Sequence, residues 1–103
     1  MPNYIGSDLA VRFESQVDGE PCVPESVKVV VYDPENKCIM EDRITAKTAD
    51  VTYVLKKKHV EKPGNYTFDF WVTLPEFGEH EHRINAEVRN RKRLPVKDLS
   101  VVK

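Results

Sequence analysis

The residues of this chain that could do chemistry include two histidines in the segment His80-Glu81-His82. On a strand, residues two apart point to the same face, so the two imidazoles could share a metal ion with a third ligand. The available third ligands stand at no recognisable metal-site spacing; they are His59, Glu79 and Cys22. The alternative is a pair of polar residues at the start of a strand, and we expect no metal and no cofactor.

The acidic and nucleophilic residues are not spaced for catalysis. Glu41 and Asp42 are neighbours, so on a strand they point to opposite faces and cannot act as an acid and a base across one bond. Asp33 and Glu35 flank a proline, a pattern typical of turn capping. The sequence has no nucleophile elbow, no phosphate-binding glycine loop and no Cys–His pair with an orienting group. We therefore expect that the chain is not an enzyme.

The densest basic run, Arg89-Asn90-Arg91-Lys92-Arg93, suits contact with an anion. Residues 1–82 hold 9 basic and 15 acidic groups, whereas residues 83–103 hold 7 basic and 2 acidic groups. Such a run either binds nucleic acid or an acidic protein surface, or it keeps a terminal segment solvated. No aromatic residue lies within the run to stack on bases, so nucleic acid is not the expected partner, and a solvated terminal segment is the commoner explanation of such runs. The candidate contact residues are Arg89, Arg91, Lys92 and Arg93.

Trp71 is the only tryptophan of the chain. Tyr66, Phe68, Phe70 and Val72 alternate with polar neighbours, so parity places Trp71 on the face opposite to that apolar set. An outward tryptophan is a candidate for a subunit contact or for stacking on a sugar. The alternative phase buries Trp71 instead, but four apolar residues against one favour the outward assignment.

The strands that must position these residues follow from a two-residue alternation of apolar side chains. It marks residues 9–13, 27–31, 51–55, 66–72 and 82–88, each segment ended by Pro, Gly, Asp or Asn. A further strand opens at Cys38 and runs toward Ile44. Its phase is ambiguous, because Ile39 and Met40 are neighbours and should not both face one side. Turn signals about every ten residues predict an all-β fold, an immunoglobulin-like antiparallel β-sandwich of six to seven strands.

The length of 103 residues is that of one domain. Residues 1–90 are expected to form the sandwich, and residues 91–103 a basic C-terminal tail. Within the tail, Val101 and Val102 either add a short last strand or belong to a mobile terminus. Cys22 and Cys38 are expected to be free thiols, because the start of the chain lacks the pattern of a signal peptide. No apolar run reaches the roughly 20 residues needed to cross a bilayer, so we expect no membrane contact.

Three segments resemble small immunoglobulin-like proteins of tailed bacteriophages and prophages, which are encoded among head-completion, neck and tail genes. The first is residues 5–13, IGSDLAVRF, followed by Asp18-Gly19. The second is residues 24–36, PESVKVVVYDPEN, and the third is residues 62–71, KPGNYTFDFW. In the third, Gly64 can supply a positive φ, and Tyr66 can pack at the sandwich corner with its hydroxyl near backbone.

The resemblance covers about residues 5–90 and implies a function. It implies a non-catalytic structural or protein-interaction subunit of a virion, associated with the neck or tail. The implied partners are virion subunits or further copies of the chain, and the implied location is the cytoplasm or the virion. The alternative is a carbohydrate- or ligand-binding module that uses Trp71 with Tyr53 or Tyr32 as a stacking platform.

Overall fold

The computed structural model describes residues 3–90, and its regular elements are almost all β-strands. The strands are β1 (Asn3–Tyr4), β2 (Leu9–Glu14), β3 (Gln16–Val17), β4 (Glu20–Pro21), β5 (Ser26–Tyr32), β6 (Cys38–Ile44), β7 (Asp50–Leu55), β8 (Gly64–Leu74) and β9 (Gly78–Arg89). A single 3-10 turn, Lys57–His59, is the other element of the described part. No helix in residues 3–90 is long and apolar enough to span a bilayer. The predicted all-β class is confirmed.

The strands form two layers. Five of them make one sheet in the order β1-β9-β8-β5-β6, in which every pair is antiparallel except β1–β9. The second sheet is the antiparallel pair β2–β7, and β3–β4 is a small separate hairpin. The layers meet where the Phe13 ring of β2 lies 4.8 Å from that of Phe70, and the Tyr53 ring of β7 lies 6.3 Å from that of Phe68. These contacts are those of an antiparallel β-sandwich.

The core fills the space between the two layers, as the two-residue alternation predicts. Each fully buried large apolar side chain stabilises the fold by roughly 1.5–3 kcal/mol relative to its exposed state. The buried cluster comprises Leu9, Val11, Val27, Val29, Val31, Val51, Tyr53, Leu55, Val60, Tyr66, Phe68, Phe70, Val72, Leu74 and Val88. Its members come from both sheets, so neither sheet can bury its inner face without the other.

A β-bulge in β6 resolves the ambiguous phase at Ile39 and Met40. Val31 lies opposite Met40 while Tyr32 lies opposite Cys38, which leaves Ile39 as the extra residue. A bulge sets two residues of one strand against one of its neighbour and interrupts the alternation. Ile39 and Met40 are both partly buried against the core. The expectation that they could not share a face was wrong, because it assumed an unbroken two-residue period.

The corner where β8 begins is closed by Gly64 and Tyr66. Gly64 has a φ of +131°, and a Cβ at this position would lie 2.7 Å from the Cβ of Pro34 in the turn that follows β5. Tyr66 is 1% exposed, and its hydroxyl donates a hydrogen bond to the Lys62 carbonyl at 2.9 Å. The roles predicted for these two residues are confirmed. Only glycine combines the required φ with so close an approach.

Asp33 caps the turn against which Gly64 packs. Its Oδ1 accepts hydrogen bonds from the backbone N–H groups of Glu35 and Lys37, each at 2.9 Å, and its Oδ2 lies 3.5 Å from Lys62 Nζ. The Lys37 N–H does most to hold the pKa of Asp33 below its usual value, helped by Glu35 N–H and Lys62 against the opposing effect of burial. The turn-capping prediction is confirmed for Asp33.

Replacing Gly64 by alanine should destabilise the protein, because the methyl group meets Pro34 and the backbone must keep a positive φ. Gly19→Ala is the matched control, since Gly19 also has a positive φ, +82°, but a methyl group there would meet nothing within 4 Å. We expect Gly64→Ala to cost about 1–3 kcal/mol more than Gly19→Ala. Urea unfolding measures both, and equal losses would contradict the close packing at Gly64.

Replacing Asp33 by asparagine should lower stability at neutral pH and have less effect in acid. A carboxyl whose pKa is depressed by folding stabilises the protein above its unfolded pKa, and that contribution is lost as the pH falls through the folded pKa. The difference between wild type and Asp33→Asn should therefore shrink below the unfolded aspartate pKa of about 3.9. Thermal unfolding from neutral to acidic pH checks this. Glu35→Gln, at an exposed ion pair with Lys62, should show a smaller difference at every pH.

Candidate interaction surface

The two histidines of the candidate metal pair do lie on one face. His80 pairs with Val72 and His82 with Phe70, so both stand on the inner face of β9. The His82 ring lies 5.0 Å from the Phe13 ring, which gives it an aromatic neighbour. Within residues 3–90 no group of three or more His, Cys, Asp or Glu residues could hold a metal ion. The candidate third ligands thus do not join the pair, and Cys22, like Cys38, is a free thiol.

The adjacent carboxylates Glu41 and Asp42 point to opposite faces, as predicted. Glu41 lies on the outer face of the large sheet and forms an ion pair with Lys28 at 2.9 Å. Asp42 lies on the inner face opposite Val29 and accepts a hydrogen bond from the Tyr53 hydroxyl. Burial, together with the Asp42 charge and that hydrogen bond, raises the pKa of Tyr53. Each carboxylate therefore has a structural partner of its own.

Trp71 lies on the outer face of the large sheet, opposite to the core side of Phe70 and Val72, and the parity prediction is confirmed. It is half-buried between Lys28 of β5 and Glu81 of β9. Tyr53 faces the core and is 7% exposed, so its predicted part in a stacking platform was wrong.

Tyr32 shares the outer face with Trp71 but stands apart from it. Tyr32 pairs with Thr67, which is four residues from Trp71 along β8, a separation of about 13 Å on a strand. The row between them contains Val30, Asp69 and Arg83. The two aromatic rings therefore do not form one continuous platform.

Arg89 stands at the far end of β9 from Trp71. Its guanidinium lies 3.8 Å from the Glu87 carboxylate, and both side chains are exposed. Glu81, which neighbours Trp71, precedes Arg89 by eight residues, or about 27 Å along a strand. Trp71 and Arg89 thus do not belong to one contact patch. Arg91, Lys92, Arg93 and the alternative last strand at Val101 and Val102 lie outside the described residues.

The edge of β9 was not predicted from the sequence. β8 pairs with one side of β9 along its length, whereas β1 meets the other side only at Val88 and Arg89. Within the described part of the chain, no strand pairs with that side over residues 79–85. The Ile5 N–H donates to the Arg89 carbonyl at 2.9 Å, so the Arg89 backbone points away from β8. Backbone direction alternates along a strand, so Glu79, Glu81, Arg83 and Asn85 also present their N–H and C=O groups at this edge.

A groove runs beside this edge on the inner face. The β2–β7 sheet is only two strands wide, and His80 and His82 on the inner face of β9 remain exposed. The groove has a volume of about 480 Å³ and is lined by apolar residues such as Phe13, Leu74 and Phe77 and by polar residues such as Glu14 and His82. Phe77, in the turn between β8 and β9, is 57% exposed. We call residues 79–85 together with this groove the β9 surface.

The charges on the β9 surface are held in place by a buried carboxylate. Asp69 of β8 is 4% exposed in its side chain, and it accepts hydrogen bonds from Arg83 Nε at 2.5 Å and Arg83 Nη2 at 2.9 Å. These hydrogen bonds and the Asp69 charge raise the pKa of Arg83. Glu81 lies 3.4 Å from the same guanidinium. A two-pronged bond of this kind fixes the orientation of the arginine.

Comparisons with known proteins assign no family to the chain, so its function is inferred from the geometry described above. No protein-family model matches the chain, and no curated protein or solved structure matches it either. The sequence does carry one signal of the β9 surface, the alternation of charged residues at 79, 81 and 83, which is typical of a protected edge strand. That signal identifies an edge only after the order of the strands is known.

Replacing Arg83 by methionine should destabilise the protein, because the buried Asp69 carboxylate loses its two hydrogen bonds. Leaving a buried acceptor unsatisfied costs about 1–3 kcal/mol, or more when it is charged. Arg89→Met is the matched control, since its ion pair is fully at the surface and should change stability by less than about 0.5 kcal/mol. Chemical unfolding at neutral pH measures both variants. The double variant Arg83→Met/Asp69→Asn should recover part of the loss, and no recovery would contradict the assignment to the buried charge.

Proposed function

We propose that the chain is a non-catalytic protein-interaction subunit that binds protein partners through the β9 surface. The observation that carries this proposal is the row of backbone N–H and C=O groups at residues 79–85, beside a groove with both apolar and polar lining. An extended strand of another protein can pair with such a row and place alternate side chains into the groove, a common mode of recognition. The exposed Phe77 at the end of the groove supplies an aromatic contact of the kind enriched at interfaces.

The side chains along the edge favour a selective partner over general aggregation. Glu79, Glu81 and Arg83 place charge at alternate positions of the edge, and charged residues discourage pairing with arbitrary strands. A partner must therefore match both the backbone row and the order of charges. Selectivity of this kind suits a subunit that assembles in a defined arrangement.

The resemblance to phage and prophage proteins supports a virion part, associated with the neck or tail, as the setting of this interaction. The proposed partners are accordingly virion subunits or further copies of the chain. We also propose that the sandwich is of the immunoglobulin type. The support for this is Tyr66, whose hydroxyl bonds to backbone four residues upstream, as the corner tyrosine of such sandwiches does.

Carbohydrate binding is the weaker alternative. It needs aromatic rings that can stack together on a sugar, but Tyr53 faces the core and Tyr32 stands about 13 Å from Trp71 along the sheet. Trp71 itself lies between the charged residues Lys28 and Glu81. The β9 surface combines an open edge, a groove and an exposed aromatic in one place, so it is the better-supported site.

The proposal is tested with the full chain and the individually purified products of the genes that flank its own. Light scattering after size-exclusion chromatography should show a complex with one of them or a complex of the chain with itself. Phe77→Ser should weaken that complex about tenfold or more, as loss of a buried aromatic anchor does. Val54→Ser, at an exposed apolar residue on the outer face of the small sheet, is the matched control and should leave affinity within about twofold.

Two results would contradict the proposal. One is a chain that forms no complex with itself or with any flanking product. The other is a chain whose Trp71 fluorescence shifts on titration with simple sugars while its mass stays that of a monomer. Either result would remove the β9 surface from consideration as a protein-binding site.

A further inference from the structure

We infer that the partner of the β9 edge is a second copy of this chain, bound through antiparallel pairing of two β9 strands about a twofold axis at His82. This inference rests on the proposed function, because it names the partner of the β9 surface. The pairing would join two five-stranded sheets into one sheet of ten strands. Its basis is the order of charged residues along the open edge.

Backbone parity limits how two copies can pair. Residues 79, 81, 83 and 85 direct their hydrogen-bonding groups outward, so in an antiparallel pair they must lie opposite one another. With the axis at His82, Glu81 of each copy lies opposite Arg83 of the other, and Glu79 lies opposite Asn85. Two opposite-charge pairs result, and no like charges face each other in this segment.

Neighbouring registers bring like charges together. With the axis at Glu81, the Glu81 carboxylates of the two copies face each other. With the axis at Arg83, the two Arg83 guanidinium groups face each other. An axis at His80 sets Glu79 against Glu81. The Glu81 register also forms two Glu79–Arg83 pairs, but it adds the like pair at its axis. Since like charges directly opposite each other destabilise a strand pair, the His82 register is the one of these four that has opposite-charge pairs and no like-charge pair.

The surroundings of the edge fit the same register. The paired segment, residues 79–85, ends before Val88 and Arg89, where β1 already occupies the edge. Arg83 is held by its two hydrogen bonds to Asp69, so its position is set before a second copy arrives. The His82 ring lies against Phe13 on the inner face and therefore stays clear of the backbone row. Ile84 is half-buried in one copy, and His80 of the second copy would bury it further.

The first test is the mass of the full chain in solution by analytical ultracentrifugation. The expected mass is twice the 11.9 kDa of the chain at micromolar concentrations. Glu81→Lys places two lysines against two arginines and should weaken dimerisation at least tenfold. Glu61→Lys makes the same charge change at an exposed residue outside β9 and should leave the dimer intact. Circular dichroism verifies that both variants remain folded.

The second test reads the register by disulfide cross-linking in a Cys22→Ser/Cys38→Ser background. Residues facing each other at a non-hydrogen-bonded position have Cα atoms about 4.5 Å apart, within reach of a disulfide. His82→Cys should therefore cross-link to the second copy under mild oxidation. Ile84→Cys should not, because it faces His80 rather than its own equivalent.

The outcomes separate this inference from the proposed function. A dimer that Glu81→Lys breaks and His82→Cys cross-links supports the inference. A monomeric wild type overturns it, as does a dimer that cross-links at position 84 and not at 82. A monomer that still binds a flanking gene product in a Phe77-dependent manner overturns the inference alone, whereas a monomer that binds none overturns the proposed function as well.

Discussion

Phe68 and Phe70 of β8 pack between the two sheets, and the rest of the molecule is arranged around that contact. Their rings are stacked 6.4 Å apart, with Tyr53 against one and Phe13 against the other. Both phenylalanines are fully buried, so they cannot turn outward without opening the core. Because they are two residues apart on a strand, they also decide that Asp69 and Trp71 face away from the core. The outer face of the sheet is thus a consequence of the packing on its inner face.

The same packing leaves part of the inner face of the large sheet exposed. A layer of two strands spaced about 4.8 Å apart cannot cover a layer of five. The β2–β7 pair meets the large sheet through Phe70, Phe68 and Asp42, and it reaches β9 at His82 through Phe13 while His80 and His82 remain exposed. The groove follows from the unequal width of the two sheets, whereas the unpaired backbone row follows from the place of β9 in its own sheet, where β1 pairs only with Val88 and Arg89.

The outer face is organised by charges that are paired across neighbouring strands. Lys28 pairs with Glu41, and Arg83 with Asp69. These pairs match basic to acidic groups locally, consistent with the net charge of −1 for the whole chain. They surround Trp71 with charged neighbours, and they orient Arg83 at the edge where a second strand would meet it. The exposed Lys28–Glu41 pair contributes little to stability, whereas the Arg83 pair with buried Asp69 both stabilises the fold and orients Arg83 at the edge.

Local patterns in the sequence determined which side chains are buried, since parity along a strand depends only on near neighbours. They placed Tyr66, Phe68 and Phe70 inside and Trp71 outside, and they identified Asp33 as a turn cap. The phase of β6 escaped them, because a bulge depends on the partner strand. Only the tertiary structure decided the order of the strands, the open side of β9 and the distance between Trp71 and Arg89. These depend on contacts between residues far apart in the chain, which no local alternation of residues encodes.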